Sequence, residues 1–241
     1  MAAIALIPAR GGSKRLPRKN VRPFAGRPLL TYSIQFAHDS TAIGRCVVST
    51  DDEETARIAR QWGATVVVRP PALATDTATS VSVAVHALQT LRAEPEDVVV
   101  LLQPNCPLRP RRLIDEALTR LDRSDADSIV TVSPHHHKTG GVTDGWFVPD
   151  YVSGTRSQDL PARYFENGVL YVTRAAVVLE QGSLFGSRIG ALVTDPIYAL
   201  GDIDTALDWE VAEHLFTTHP ELFGWMAGGP PPSGPPQVPR A

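Results

Sequence analysis

Between residues 7 and 20 the chain reads Ile-Pro-Ala-Arg-Gly-Gly-Ser-Lys-Arg-Leu-Pro-Arg-Lys-Asn, so Arg10, Lys14, Arg15, Arg18 and Lys19 surround the paired glycines Gly11 and Gly12 and the hydroxyl of Ser13. No acidic residue precedes Asp39. Glycines let the backbone approach an anion and supply positive φ, and nearby N–H groups and cations then meet its charge, which is the composition of a polyphosphate site. A solvated basic loop or a nucleic-acid patch has the same charge. Position favours the phosphate reading, because the loop follows a short apolar run where a first strand of an open α/β sheet would end and a ligand crevice would lie. The loop lacks the Gly-Lys-Ser/Thr ending of a P-loop and the spaced glycines of a dinucleotide fingerprint.

A second group with chemical potential is Asp202-Ile203-Asp204. In extended backbone the two carboxylates share one side while Ile203 faces the other. Two carboxylates suit Mg²⁺, which takes a couple of them together with phosphate oxygens and water. Acids ahead of a helix also serve as turn and capping groups, and spacing alone does not choose. The polyphosphate loop elsewhere in the chain tips the reading to metal. His135-His136-His137 is a weaker candidate, because adjacent histidines do not share a face of a strand or helix.

These groups need a scaffold. The 241 residues carry 23 Lys and Arg against 26 Asp and Glu, a net charge of −3 that argues against wholesale binding to nucleic acid or an anionic membrane. Only Cys46 and Cys106 occur, outside any disulfide or metal spacing, and Pro8 and Arg10 cut the first apolar run short of a membrane span. The expectation is a cytoplasmic protein in a reducing compartment. Short apolar runs alternate with amphipathic stretches, which predicts an α/β fold: a Rossmann-like, mostly parallel sheet with helices on both faces. Strands are expected at 4–8, 45–49, 64–68, 97–102, 128–132 and 167–172. The run at 97–102 reads as a strand buried on both faces at the sheet centre.

Helices are expected from Pro28, a residue suited to a first helical turn, to Ala37; after a Thr50 and Glu53 capping box, with Ala56, Ala59 and Trp62 on one face; from Val81 to Leu91; and over Leu113 to Leu121. Asp51 and Asp52 read as capping acids at the second of these. A last helix, capped by Thr205 and Asp208, would bury Leu207, Val211 and Leu215, with Ala212 and Phe216 beside them. Residues 133–161 read as an extended excursion from the main sheet, and 228–241, dominated by Gly and Pro, as a disordered tail without chemistry. The main domain is thus 1–227.

Four ordered stretches carry a resemblance: 7–20 as quoted above, Leu-Gln-Pro-Asn-Cys-Pro-Leu-Arg at 102–109, Arg-Ser-Gln-Asp-Leu-Pro at 156–161, and Asp-Ile-Asp-Thr at 202–205. In order and spacing they resemble the CMP-sialic acid synthetases, or acylneuraminate cytidylyltransferases. The resemblance implies a nucleotidyltransferase fold and transfer of CMP from CTP to the anomeric hydroxyl of a 3-deoxy-nonulosonic acid, with release of pyrophosphate. By that resemblance Arg10, Gly11, Gly12, Ser13, Lys14, Lys19 and Asn20 would hold the triphosphate and cytidine, with Arg10 and Lys19 catalytic. Arg69, Asp76 and Ser80 would help to fix base and ribose. Gln103 and Arg156 would hold the sugar, Arg156 at its carboxylate, with Tyr171 and Phe185 packing near it. Asp202 and Asp204 would carry Mg²⁺ and act in catalysis.

The family usually has Thr-Ser where this chain has Asn105-Cys106. Its histidine-containing segment is matched loosely by 135–138, where Lys138 is the candidate to reach a partner's active site. The implied assembly is a homodimer joined through 133–161. Other acidic acceptors, such as legionaminic or pseudaminic acid, an octulosonate or a phosphonate, would use the same chemistry. A non-catalytic nucleotide-binding module is the alternative of a different class. Chemically, a neutral hydroxyl attacking a charged α-phosphate needs charge neutralisation, in-line alignment and loss of one proton. With no activated nucleophile beside a partnered base, the expectation is direct displacement without a covalent enzyme intermediate.

Overall fold

Ile4, Ala5, Leu6 and Ile7 are fully buried, and Val98, Val99, Val100 and Leu101 are at most 1% exposed. Runs buried on both faces belong at the middle of a parallel sheet, and that is where they lie. The computed structural model describes residues 2–75 and 77–226. Asp76 and the expected tail, 228–241, therefore lie outside the described residues.

The strands are β1 (Ala3–Pro8), β2 (Pro23–Phe24), β3 (Arg27–Pro28), β4 (Ile43–Thr50), β5 (Thr65–Val68), β6 (Val98–Leu101), β7 (Ser128–His135), β8 (Gly140–Thr143), β9 (Trp146–Pro149), β10 (Arg163–Arg174) and β11 (Ile189–Val193). The helices are α1 (Leu30–His38), α2 (Glu53–Gln61), α3 (Ser80–Leu91), α4 (Leu113–Asp122), α5 (Ala175–Gln181), α6 (Ala206–Thr218) and α7 (Pro220–Phe223). Seven strands make one sheet in the order β11-β7-β10-β6-β1-β4-β5. The β1–β4, β1–β6, β4–β5 and β7–β11 pairs are parallel, and β10 runs antiparallel to both β6 and β7.

Alternation along the central strands sorts the core into two layers. Ala5 and Ile7 of β1, with Val98 and Val100 of β6, pack against Ile34 of α1, Ala59 of α2 and Ile114 of α4. Ile4, Leu6, Val99 and Leu101 pack on the opposite face against Ala84 and Leu88 of α3 and Val178 of α5. A third cluster joins Leu16, Phe24, Tyr32, Leu108, Ile203, Trp209 and Phe223. It ties the basic loop, the segment after β6 and the chain ahead of α6 to one another.

Local differences from the sequence reading have physical causes. Pro28 is in β3, and α1 starts only at Leu30. Ala25 and Gly26 both have positive φ, 42° and 91°, and close a two-residue turn that folds 23–28 into a ribbon before the helix can begin. Asp52, not Thr50, caps α2: its carboxylate accepts from Thr55 N at 2.7 Å, while the Thr50 hydroxyl accepts from Asp52 N at 3.1 Å. β11 has no counterpart among the expected strands, since Gly190 interrupts its apolar pattern. Thr205 and Asp208 do form the capping box of α6. Yet that helix buries Trp209 and Ala212, leaving Leu207 68% and Val211 37% exposed. Trp209 decides its orientation, with its ring 5.5 Å from Phe24 and under the Arg22 guanidinium at 4.6 Å.

The excursion begins a few residues later than its sequence suggests. β7 continues in the sheet to His135, where it still pairs with Arg163 of β10. What leaves the sheet is 136–162, which holds the β8–β9 hairpin, closed by Asp144 and Gly145 at φ 51° and 84°, the Asp-Gly signature of a tight turn.

Candidate active site

β1 and β6 are adjacent and parallel, so the segments that follow them emerge side by side. Between them lies a cleft of about 400 Å³. Pro8, Arg10, Ser13, Lys14, Arg15, Lys19 and Asn20 line one wall, and Pro104, Asn105 and Asp204 the other. The basic loop is held in shape by its own polar groups. Asn20 is nearly buried and donates from Nδ2 to the Arg10 carbonyl at 2.9 Å, while its own carbonyl accepts from Leu30 N. Arg10 also reaches the Thr75 carbonyl at 3.3 Å.

The glycines act differently from the expectation. Neither Gly11 nor Gly12 has positive φ; the left-handed residue of this loop is Arg18, at 58°. Gly11 is required by contact instead, because a Cβ there would lie 2.6 Å from Asp52 Cβ. Its N–H is spent on Asp51 Oδ1 at 3.0 Å. Space around Gly12 is open. Asp51 and Asp52 thus shape the loop and cap α2.

Ile203 is fully buried in a cluster with Leu108 and Trp209, which fixes Asp204 on the cleft wall and Asp202 beside it, against Asn105. Asp204 meets the loop directly: Lys19 Nζ lies 3.2 Å from Oδ1 and Arg15 Nη2 3.0 Å from Oδ2. Lys19 also donates to the Ile203 carbonyl at 2.7 Å. Asp202 receives the Asn105 amide at 2.6 Å and the Cys106 thiol at 3.8 Å, both on Oδ1. Desolvation of its carboxylate, then the charge of Asp204, hold Asp202 above the usual carboxylate range. Burial likewise pushes the Cys106 thiol up to about 12, which keeps it protonated and unreactive.

The segment after β6 is fastened by Arg109, a residue with no role assigned from sequence. Its side chain is fully buried, with Nε donating to the Val169 carbonyl at 3.0 Å, Nη1 to Ser33 Oγ at 3.0 Å and Nη2 to the Gln103 carbonyl at 2.7 Å. Burial lowers its pKa to about 10, so the group stays charged at neutral pH. One guanidinium thereby sets the backbone at Gln103, two residues before Asn105.

These features describe a crevice for a polyanion beside a carboxylate pair. A family model described as cytidylyltransferase matches residues 4–190. The chain belongs to the cytidylyltransferase family. Among relatives it is 34% identical over 232 residues to a CMP-N,N'-diacetyllegionaminic acid synthase of Legionella pneumophila, covering 92% of this chain and 100% of that protein. An N-acylneuraminate cytidylyltransferase of Streptococcus agalactiae is 36% identical over 225 residues, which cover 90% of this chain and 54% of that longer protein. Among solved structures, a CMP:2-keto-3-deoxy-manno-octonic acid synthetase complexed with CTP superposes with a TM-score of 0.70 at 17% identity, covering 91% of this chain and 100% of that one. This likeness supports the fold alone.

Other residues singled out in the cytidylyltransferase sequence are spread around the cleft or away from it. Arg69 is 5% exposed and spends its guanidinium on the Ser49 carbonyl at 2.8 Å and the Leu73 carbonyl at 3.4 Å, so it braces the loop after β5. Ser80 opens α3 behind the Thr79 cap. The Tyr171 ring packs on Phe185 at 5.9 Å, and burial followed by the charge of Glu166 pushes its hydroxyl up to about 12. Arg156 is outside the cleft wall and pairs bidentately with Asp159 at 2.6 and 3.1 Å. Lys138 sits over the Tyr151 ring at 5.4 Å, at the base of the hairpin. Arg15 and Asn105, with Pro8 and Pro104, are the cleft residues that the sequence reading did not single out. Arg15 was visible as one of five cations in the loop, but nothing in the pattern distinguished it as a partner of Asp204.

Proposed function

We propose that this cytidylyltransferase transfers CMP from CTP to the anomeric hydroxyl of a 3-deoxy-nonulosonic acid and releases pyrophosphate. The observation that carries the reading is the meeting of Arg10, Lys14, Arg15 and Lys19 with Asp204 in one cleft at the ends of β1 and β6. The names of the Legionella and Streptococcus relatives support an acceptor of the sialic or legionaminic acid type.

Arg10, Ser13, Lys14 and Lys19 bind the triphosphate and stabilise charge that builds on the leaving pyrophosphate, and Asn20 keeps the loop in register. Gly12, with open space about it, lets the loop backbone approach a phosphate. Arg69, Asp76 and Ser80 serve the base and ribose side, Arg69 through the loop it braces. Mg²⁺ fits the carboxylate pair. Among the described residues no group of three or more His, Cys, Asp or Glu is gathered for a metal, so Asp202 and Asp204 leave most positions to phosphate and water, the set this ion prefers. Held there, the ion would supply positive charge for the α-phosphate and the leaving group and would acidify the attacking hydroxyl. Lys19 and Arg15, which pair with Asp204, would turn to the triphosphate when nucleotide binds and leave that carboxylate to the cation.

Gln103, held by Arg109, faces the acceptor side with Tyr171 and Phe185. Arg156 already holds a carboxylate in bidentate fashion, that of Asp159, and the sugar carboxylate takes the same fork. The enzyme works as a homodimer through the excursion at 133–161. Supporting this, Val142, Trp146, Phe147 and Val148 on the hairpin and Val152 beyond it are 54 to 79% exposed, more contiguous apolar surface than a monomer usually shows. Lys138, beside that surface, then approaches the partner's cleft. Both cysteines are free and buried, and no helix among the described residues is long and apolar enough to cross a membrane, which suits a cytoplasmic enzyme.

The test is pyrophosphate release from each of the four nucleoside triphosphates across a panel of acidic sugars with Mg²⁺. CTP-dependent release with a nonulosonic acid is expected. Release with none of the sugars would refute the reading.

A further inference from the structure

Asp204 on the cleft wall and Asp202, which lies against the wall residue Asn105, are held in opposite ways. Asp204 has both oxygens engaged by cations, Oδ1 by Lys19 and Oδ2 by Arg15. Asp202 is held through Oδ1 alone, by the uncharged amide of Asn105 at 2.6 Å and more distantly by the Cys106 thiol. The same asparagine is tied to the acid's neighbour through its backbone, since its carbonyl accepts from Ile203 N at 2.8 Å. Asn105 thus grips 202–203 twice, once by main chain and once by side chain. Its main chain is in turn set by the buried Arg109 at Gln103.

We propose that Asn105 is a positioning residue for Asp202, turning the carboxylate so that Oδ2 faces the cleft as the standing ligand for a divalent cation. This rests on the metal assignment made above. An uncharged donor suits this role because it restricts rotation of the carboxylate while leaving its negative charge uncompensated, whereas a lysine there would cancel the attraction for a cation. Partners that orient a metal-binding carboxylate in this way set its affinity, and their removal lowers metal affinity or activity by roughly 10- to 100-fold. The division of labour follows from charge. Asp202 is ready for the cation before nucleotide arrives, and Asp204 becomes available only as Lys19 and Arg15 turn to the triphosphate.

The test uses the whole chain and Mn²⁺ as the probe. Asn105→Leu keeps the branched skeleton and removes the donor; Asn105→Ser keeps a donor too short to span the contact and serves if the larger leucine variant does not fold. Mn²⁺ affinity is read by electron paramagnetic resonance without nucleotide, and the Mg²⁺ concentration for half-maximal rate is read at saturating CTP and sugar. Both are expected to weaken by roughly 10-fold or more, with the KM for the acidic sugar unmoved. Cys106→Ala, which removes only the distant thiol, should leave Mn²⁺ affinity unchanged. Unaltered affinity in the Asn105 variants, no Mn²⁺ binding by the wild type, or an equal loss in Cys106→Ala would overturn the proposal. A wild type that binds Mn²⁺ but releases no pyrophosphate would instead strike at the functional reading.

Discussion

The cleft and the β8–β9 hairpin are opposite solutions to the placement of side chains. Charged groups at the cleft are fixed from behind by buried apolar residues: Ile203 between Asp202 and Asp204 is wholly buried, and Leu16 within the basic loop is 4% exposed. On the hairpin the apolar side chains are themselves exposed, with Trp146 at 77% and Val142 at 74%, and nothing among the described residues covers them. One region spends its hydrophobic residues on precision within the protomer. The other leaves them at the surface, where the proposed dimer would use them. Substitutions in the cleft should therefore cost activity or stability in the isolated chain, and substitutions in the hairpin only association.

The largest effect is expected at Asp204. Asp204→Ala should lower kcat about 10³-fold, roughly 4 kcal/mol of transition-state stabilisation, with an unchanged melting temperature. Near-normal turnover at limiting Mg²⁺ would remove Asp204 from the metal. Next is the residue behind it: Ile203→Ala should destabilise the fold by about 3 kcal/mol, read in urea unfolding, because the emptied volume lies in a packed cluster. A shift of only a few tenths would mean that the acids do not depend on that anchor. Arg156→Ala should raise the KM for the acidic sugar about 30-fold, or roughly 2 kcal/mol, and spare that for CTP. An unaltered sugar KM would take Arg156 out of the site.

Smaller still is Gly11→Ala, where the new Cβ must displace Asp52; about 1.5 kcal/mol of stability should be lost, visible as a lowered melting temperature. Least for the protomer is Trp146→Ser, expected to change protomer stability by under about 0.5 kcal/mol while converting dimer to monomer in analytical ultracentrifugation. A monomeric wild type, or a dimer that survives this change, would break the contrast between the two regions.

Much of this is legible in the sequence where one physical term dominates. The run around Val100 reads as a central strand because a continuous apolar run marks an element buried on both faces, and the shorter run at 4–8 reads as the first strand. Lys19 and Asp204 each stand out in the sequence as candidates for phosphate and metal, and the structure brings them together in one cleft. Features that depend on distant partners are not legible. Periodicity alone turns α6 towards Leu207 and Val211, while the folded chain gives Trp209 both Phe24 and Arg22 to pack against. The Asp144-Gly145 turn is legible in principle, as an Asp-Gly pair between short β-prone stretches, but the glycines and isolated aromatics around it blur it into a longer irregular segment. Asn105 carries no local sign of its role, since its partner Asp202 is 97 residues away.

The contact between Lys19 and Asp204 spans 185 residues of sequence. Closing so long a loop costs little more than closing one half its length, about 0.6 kcal/mol per doubling, so separation is no burden on the finished protein. It does impose an order of assembly. As the chain is synthesised, the basic loop and its first strand emerge long before the acids, and the sheet around β1 can form while those cations still lack Asp204. Only when the chain beyond β11 arrives does Ile203 lock in and bring Asp204 to the loop, so the Lys19–Asp204 contact is completed among the last steps of folding.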